Sequence, residues 1–252
     1  MTDRPRVLVS NDDGHQSEGI RALVDAVEPL AEVWVVAPEA EQSASSHAIS
    51  IHRPLRLREV RERWFAVDGT PTDCAWLGIH QVLRGRPPQL VVSGINHGPN
   101  LGTDILYSGT VGGARQATLM GRPGVALSVN AYVPPFDFPC AAAFTLRNLE
   151  TFRGLADGDH FINVNFPNTD CARAATMITF PSRRIYREEL KTYTAPNRDL
   201  FCFIGGPLPD ARLEEGSDCD AVNRGFISIT PVHVHPAYHD PIEERYREAT
   251  FR

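Results

Sequence analysis

Arg6-Val7-Leu8-Val9-Ser10 runs without interruption into Asn11-Asp12-Asp13-Gly14, and few folds accommodate that junction. A short, continuous apolar run dominated by β-branched residues reads as a strand buried on both faces, the pattern of a central strand in a parallel sheet. Such sheets carry their ligands just beyond the carboxyl ends of their strands. Two adjacent carboxylates and a glycine at that place make Asn11–Gly14 a candidate site, although Asn, Asp and Gly are also what an ordinary turn prefers. Ile20, Leu23, Val24 and Val27 then recur at helical spacing, with Pro29 near the end, and Val33–Ala37 reads as a second buried strand. Strand, helix, strand within about thirty residues is a right-handed βαβ unit, the start of a doubly wound sheet.

The polar, small-residue segment Glu39–His47, which includes Ser43, leaves the carboxyl end of the second strand and so can reach the same sheet edge as Asp12 and Asp13. Alternation at Ile49, Ile51, Leu55 and Leu57 predicts an antiparallel ribbon at an edge or over the site. Trp64–Val67 is a further strand. Thr70 as N-cap, Pro71 at the first helical position and Asp73 in the first turn predict a helix through Trp76, Leu77, Ile79 and Leu83 to about Arg84. Leu90, Val91 and Val92 form the next buried strand, ended by the Gly- and Asn-rich stretch Ser93–Gly102, where backbone can approach a ligand closely. Tyr107-Ser108-Gly109-Thr110 leads into an apolar helical face of Val111, Ala114, Ala117 and Leu119. Unpaired N–H groups and the helix dipole at Ser108, Gly109 and Thr110 favour an anion such as phosphate.

With 252 residues, 42% hydrophobic and 22% charged, the chain can bury one substantial core. A formal charge of -6 offers no general attraction for a nucleic-acid backbone, so phosphate recognition has to be local. No apolar run approaches the roughly 18–20 residues of a membrane span, and Met1–Pro5 lacks a signal-peptide core, so a cytoplasmic protein is expected. The five cysteines, Cys74, Cys140, Cys171, Cys202 and Cys219, are scattered and odd in number. They are expected to be reduced packing residues rather than a disulfide or zinc framework.

Three strand tips thus carry oxygen donors: Asn11, Asp12 and Asp13; then Ser43; then Asn96 and Asn100. Carboxylate, hydroxyl and amide oxygens suit magnesium, manganese or calcium and suit zinc or copper poorly. A hard divalent cation beside a helix-end anion pocket is an arrangement for hydrolysing a phosphate ester.

Asn11-Asp12-Asp13-Gly14, Ser43 in its loop, Val67-Asp68-Gly69-Thr70-Pro71, Ser93-Gly94-Ile95-Asn96, Gly98-Pro99-Asn100-Leu101-Gly102 and Tyr107-Ser108-Gly109-Thr110-Val111 together resemble the SurE family of metal-dependent 5′-nucleotidases. So do Asn163-Val164-Asn165-Phe166-Pro167 and Gly225–Pro231, and the resemblance therefore spans nearly the whole chain. It implies that Asp12, Asp13, Ser43 and Asn96 hold one magnesium or manganese ion per subunit. It further implies that Asn11, Asn100 and Ser108–Thr110 face the phosphate, and that Asp12, Asp13, Asn96 and Ser108 are the catalytic residues. The implied activity is cytoplasmic hydrolysis of nucleoside 5′-monophosphates, extended in some members to short polyphosphate, by a homodimer or homotetramer built from swapped extensions. A non-catalytic nucleotide sensor using the same oxygen cage is the alternative. A metal-dependent glycosyltransferase would need an acceptor cleft and a second carboxylate, for which no residue offers itself.

In the second half, Gly124–Ser128 predicts a strand, Ala141–Leu155 a helix, and Phe161–Phe166 the last strand of the main sheet. Arg183, Arg184, Tyr186, Lys191 and Tyr193, a turn at Asn197-Arg198-Asp199, and Leu200, Phe201, Phe203 and Ile204 predict a long two-stranded ribbon ending at Gly205-Gly206. A lone ribbon cannot bury its apolar side, so it is expected to pack on a partner subunit. The expectation is thus a Rossmann-like, mostly parallel α/β core over residues 1–180 with a ribbon and tail over 181–252 used for oligomerisation. Arg183 and Arg184 read first as solvated charges and second as phosphate or partner contacts. His233, His235 and His239 have a non-helical spacing beside Pro231 and Pro236, unsuited to zinc, and the chain has His235-Pro236-Ala237 where relatives carry an acidic residue. Gln116 stands where relatives often have Glu. His97 is either a loop residue or a substrate contact and proton donor. Base preference is left to the surroundings of Pro99, Asp137 and the ribbon.

Overall fold

A computed structural model describes residues 4–168, 171–187, 189–212 and 214–235. Its centre is the predicted apolar run: β1 (Arg6–Ser10) has Val7, Leu8 and Val9 wholly buried. Ser17 caps α1 (Glu18–Val27), whose Ile20, Leu23, Val24 and Val27 form the buried face, and β2 (Glu32–Pro38) returns parallel to β1. The chain then adds an antiparallel edge strand, β3 (Leu57–Arg61), and β4 (Trp64–Val67) outside β2. It next crosses α2 (Pro71–Leu77) to reach the other side of β1 as β5 (Leu90–His97). That reversal between β1 and β5 is a topological switch point, where open α/β sheets form their binding crevice.

From β5 the sheet continues through α3 (Gly109–Leu119) to β6 (Gly124–Asn130), and through α4 (Phe138–Arg147) and α5 (Leu149–Gly154) to β7 (His160–Pro167). Beyond it come β8 (Thr176–Ile178), β9 (Arg183–Ile185), β10 (Glu189–Thr194), β11 (Leu200–Gly205), β12 (Asp210–Arg212), α6 (Asp218–Asn223) and β13 (Ile227–His233). The main sheet has the order β3-β4-β2-β1-β5-β6-β7-β13-β8, with helices on both faces. The doubly wound, mostly parallel fold expected from the sequence is what forms. The ribbon is present too: β10 pairs antiparallel with β11, and β9 with β12 at its stem.

Several expectations need correction. Phe161–Phe166 is not the last strand of the sheet, because β13 pairs antiparallel with β7 and carries β8 on its far side. The strand beginning at Leu90 does not end at Ser93. Its pairing to β6 shifts register between Ser93 and Asn96, and Gly94 takes φ +139°, which L side chains rarely adopt, so the strand bulges and runs on to His97. The Ile49–Leu57 ribbon is shorter than its alternation suggested. Ile49 and Ile51 are exposed on a loop tied to α2 through Ser50 on Asp73 and to α3 through His47 on Gln116, and pairing starts only at Leu57. The helix after Thr70 is regular only to Leu77 and widens into a π turn over Gly78–Val82. Ala141–Leu155 is two helices, parted at Asn148, whose side-chain amide donates to the Phe144 carbonyl at 2.8 Å. Leu119 is exposed rather than on the buried face of α3.

Cys140 and Cys171 are not free thiols but a disulfide, Cα atoms 6.1 Å apart, tying the first turn of α4 to the segment after β7. Scatter in the sequence hid it, since the bond depends on the start of α4 lying beside the Cys171–Arg173 turn. Cys74, Cys202 and Cys219 are free. Among the described residues no helix is long and apolar enough to cross a membrane.

The bond closes a loop of sequence separation 31, which chain-entropy reasoning values at about 2–4 kcal/mol. Cys140→Ser is therefore expected to lower the free energy of unfolding by that amount, seen as a lower urea midpoint with an m-value no smaller than wild type, and an unaltered free energy of unfolding would refute the stabilising role.

Candidate metal and phosphate site

Asp12 leaves the end of β1 and is 4% exposed. The Thr110 hydroxyl donates to its Oδ1 at 2.5 Å and the Thr110 backbone N–H to its Oδ2 at 3.0 Å, so the amino end of α3 grips both carboxylate oxygens. Burial raises the Asp12 carboxyl above its ordinary range despite these donors. Asp13 is pushed up to about 7, first by burial and then by the charge of Asp12 beside it. His97 Nδ1 lies 2.7 Å from Asp13 Oδ1, and Phe136 packs on the His97 ring with centroids 5.6 Å apart.

The loop after β2 closes over this edge because each part of it has its own anchor. The Gln42 N–H donates to the Asp12 carbonyl at 2.7 Å, the Ser46 N–H to Tyr107 O at 2.8 Å, and His47 Nε2 lies 3.0 Å from Gln116 Oε1. Ser50 donates from both its N–H and its hydroxyl to Asp73, at 2.8 Å each. Asp73 is also the third residue of the Thr70 capping box, so one carboxylate starts α2 and fastens the loop. Ser43 is thereby delivered to the cleft, where its hydroxyl donates to Glu41 Oε1 at 2.7 Å.

The bulged end of β5 presents Asn96, whose Nδ2 donates to Gly98 O at 2.8 Å, leaving its carbonyl end as the oxygen donor. Asn100 is held from behind by two amides of β7. Its N–H donates to Asn165 Oδ1 at 2.8 Å, and its carbonyl accepts from Asn163 Nδ2 at 2.8 Å and Asn165 Nδ2 at 3.1 Å. Its side chain donates to Ser128 Oγ at 2.7 Å.

Asp12, Ser43, Asn96, His97, Asn100 and Ser108 line one cleft of about 400 Å³, and Asp13 joins them through His97. Asn11, Gly109 and Thr110 are not among its lining residues. Asn11 is fully buried, with its amide on Gly14 O at 3.0 Å and Ser17 Oγ at 2.7 Å, so its side chain holds the turn from inside. Thr110 directs both its donors at Asp12, Gly109 packs against the Asp12 side chain, and Ser108 caps α3 by accepting from Val111 N–H at 3.1 Å. The donor set fits a hard divalent cation: oxygen donors from separate elements line one cleft, and the charge of Asp12 beside Asp13 raises the affinity of that carboxylate for positive charge.

The sequence reading missed the Asn163 and Asn165 cradle as structure, although alternation in a strand puts both amides on one face. It missed Asp104, which carries no local signal, and ranked a contact role for Arg184 only second. Arg184 is not a solvated charge: its side chain is 8% exposed and ion-paired to Asp104 at 3.0 Å. Of the histidines, His160 and His233 meet edge-on across β7 and β13 with ring centroids 5.0 Å apart and His235 lies alongside, while His239 is outside the described residues.

The comparisons agree with one another. The family model described as Survival protein SurE matches residues 7–188. A Myxococcus xanthus protein named 5′-nucleotidase SurE is 49% identical over 92% of this chain and 89% of its own length, and one of that name from Geobacter metallireducens is 44% identical over 91% of each. The crystal structure of the SurE protein from Aquifex aeolicus superposes with a TM-score of 0.83 at 34% identity, covering 97% of this chain and all of that one. On sequence and fold, the chain belongs to the SurE family.

Proposed function

We propose that the chain is a divalent-metal-dependent 5′-nucleotidase, releasing phosphate from nucleoside 5′-monophosphates and, secondarily, from short polyphosphate. The observation that carries this reading is the buried Asp12–Asp13 pair set at the β1/β5 switch point against the amino end of α3. Asp12, Asp13, Ser43 and Asn96 would hold one magnesium or manganese ion. When bound, that ion supplies positive charge to the phosphate and makes a water more acidic. Thr110 keeps Asp12 in one orientation, and the amino end of α3 beyond Ser108 attracts the remaining phosphate charge. Asn100, fixed through its backbone by Asn163 and Asn165, borders the phosphate. His97, on Asp13 and lining the cleft, is the group assigned to hold a proton for the leaving 5′ oxygen.

We divide the chain into a catalytic core over residues 1–180 and an extension over 181–252, and assign the extension to a homodimer. Leu190, Tyr193, Leu200, Phe201, Phe203 and Ile204 on the β10–β11 ribbon are all exposed, more apolar surface than an isolated hairpin keeps in water. A cytoplasmic setting belongs to the same proposal.

Asp12→Asn is expected to abolish manganese-dependent phosphate release from adenosine monophosphate with an unchanged circular dichroism spectrum; undiminished turnover would exclude the ligand set. Thr110→Val removes a hydrogen bond to a ligand and should weaken manganese affinity about 10–100-fold by calorimetry. Ile204→Asp should shift the sedimentation of the protein towards the monomer, and an unshifted boundary would sink the ribbon-mediated dimer.

A further inference from the structure

The cleft runs past its oxygen donors to an aromatic end that metal and phosphate leave unused. Tyr107, Tyr132 and Tyr186 line it beside Asp104. Tyr107 is 57% exposed and Tyr132 44%, so both offer ring faces on which a flat ring can stack.

These rings are held in place. The Tyr186 hydroxyl donates to Asp104 Oδ1 at 2.6 Å, and its ring meets Tyr107 edge-on with centroids 6.1 Å apart. Arg184 reaches the other oxygen of Asp104 through Nε at 3.0 Å and donates from Nη2 to the Tyr132 hydroxyl at 3.3 Å. Its backbone N–H donates to Thr103 Oγ1 at 3.1 Å. A Cβ on Gly98 would stand 3.9 Å from both the Tyr132 ring and Asn96 Nδ2, so Tyr132 borders the loop that carries the oxygen donors. One buried cation thus ties two aromatic walls to one carboxylate, and that cation comes from β9, in the stem of the ribbon. Inorganic phosphate or a polyphosphate chain has no use for such walls; a nucleobase does.

We propose that this aromatic end is the nucleoside subsite, with the base stacked against Tyr132 and the Tyr107–Tyr186 pair and Arg184 as the positioning residue that holds both. The orientation of the substrate, phosphate towards Asp12 and base towards Tyr132, rests on the 5′-nucleotidase reading.

Adenosine tests the wall by itself, since it carries no phosphate and undergoes no turnover. Calorimetry on the full chain should show adenosine binding weakened about tenfold or more by Tyr132→Ala and retained in Tyr132→Phe, which keeps the ring. In initial-rate measurements with manganese, Tyr132→Ala should raise KM for adenosine monophosphate by a similar factor. Its kcat, and KM for ribose 5-phosphate, should stay within about twofold of wild type. Arg184→Gln should reproduce the split between the two substrates. Adenosine binding indifferent to Tyr132→Ala, or equal losses with adenosine monophosphate and ribose 5-phosphate, would overturn the subsite. A protein that binds adenosine at Tyr132 but releases no phosphate from any ester would retire the nucleotidase reading while upholding the subsite.

Discussion

Moving a carboxylate out of water costs several kcal/mol unless hydrogen bonds or opposite charge replace the lost hydration. Asp12 is almost wholly buried, and Thr110, 98 residues further along the chain, gives it two donors. That pairing fixes where α3 begins. A Cβ on Gly109 would come within 3.0 Å of the Asp12 Cβ and 2.5 Å of Ser45 Oγ, so the helix end can sit this close only with glycine there. The loop over the site in turn hangs on α3, through Ser46 at Tyr107 and Gln116 at His47. One carboxylate therefore serves as a candidate cation ligand and as the joint that positions the other walls of the cleft.

Local chemistry explains which parts of this were legible in the sequence. Thr70, Pro71 and Asp73 predict their helix start because capping is settled within four residues, and the structure forms the full capping box. The β1 run predicts a central strand because burial on both faces removes any need for alternation. The strand tips could be assembled on paper because a parallel βαβ fold sends all its carboxyl ends to one edge. Asn96 is an instructive intermediate. Its residue type suggested a ligand, but its delivery depends on Gly94 letting β5 bulge and continue, which local propensity reads as the end of a strand.

What was illegible is pairing between residues whose proximity only the finished fold decides. Arg184 looked like one of many exposed arginines until β9 placed it beside Asp104. Asp218 had no marking at all, yet it is fully buried and accepts from the Gly102 N–H at 2.7 Å and the Ser182 N–H at 2.9 Å, fastening α6 to the loop behind the site. The Cys140–Cys171 bond belongs with these. Each is a polar or covalent contact at long sequence separation, and none leaves a periodicity behind.

The ribbon brings the two kinds of information together. Its stem is anchored: Arg184 is held by Asp104, Thr103 and Tyr132, and the β9–β12 pair closes behind it. The distal hairpin is held by its own ladder, Glu189 to Thr194 against Leu200 to Gly205, and both strands are exposed along their whole length. A two-stranded hairpin is marginal in water without a further surface to cover it. Contact with a second copy at the hairpin would therefore stabilise a segment whose root already forms one wall of the cleft. Because that root is fixed by its own polar contacts, partly buried, rather than by the hairpin, the geometry at Asp104 and Tyr186 does not have to wait for the partner to be set.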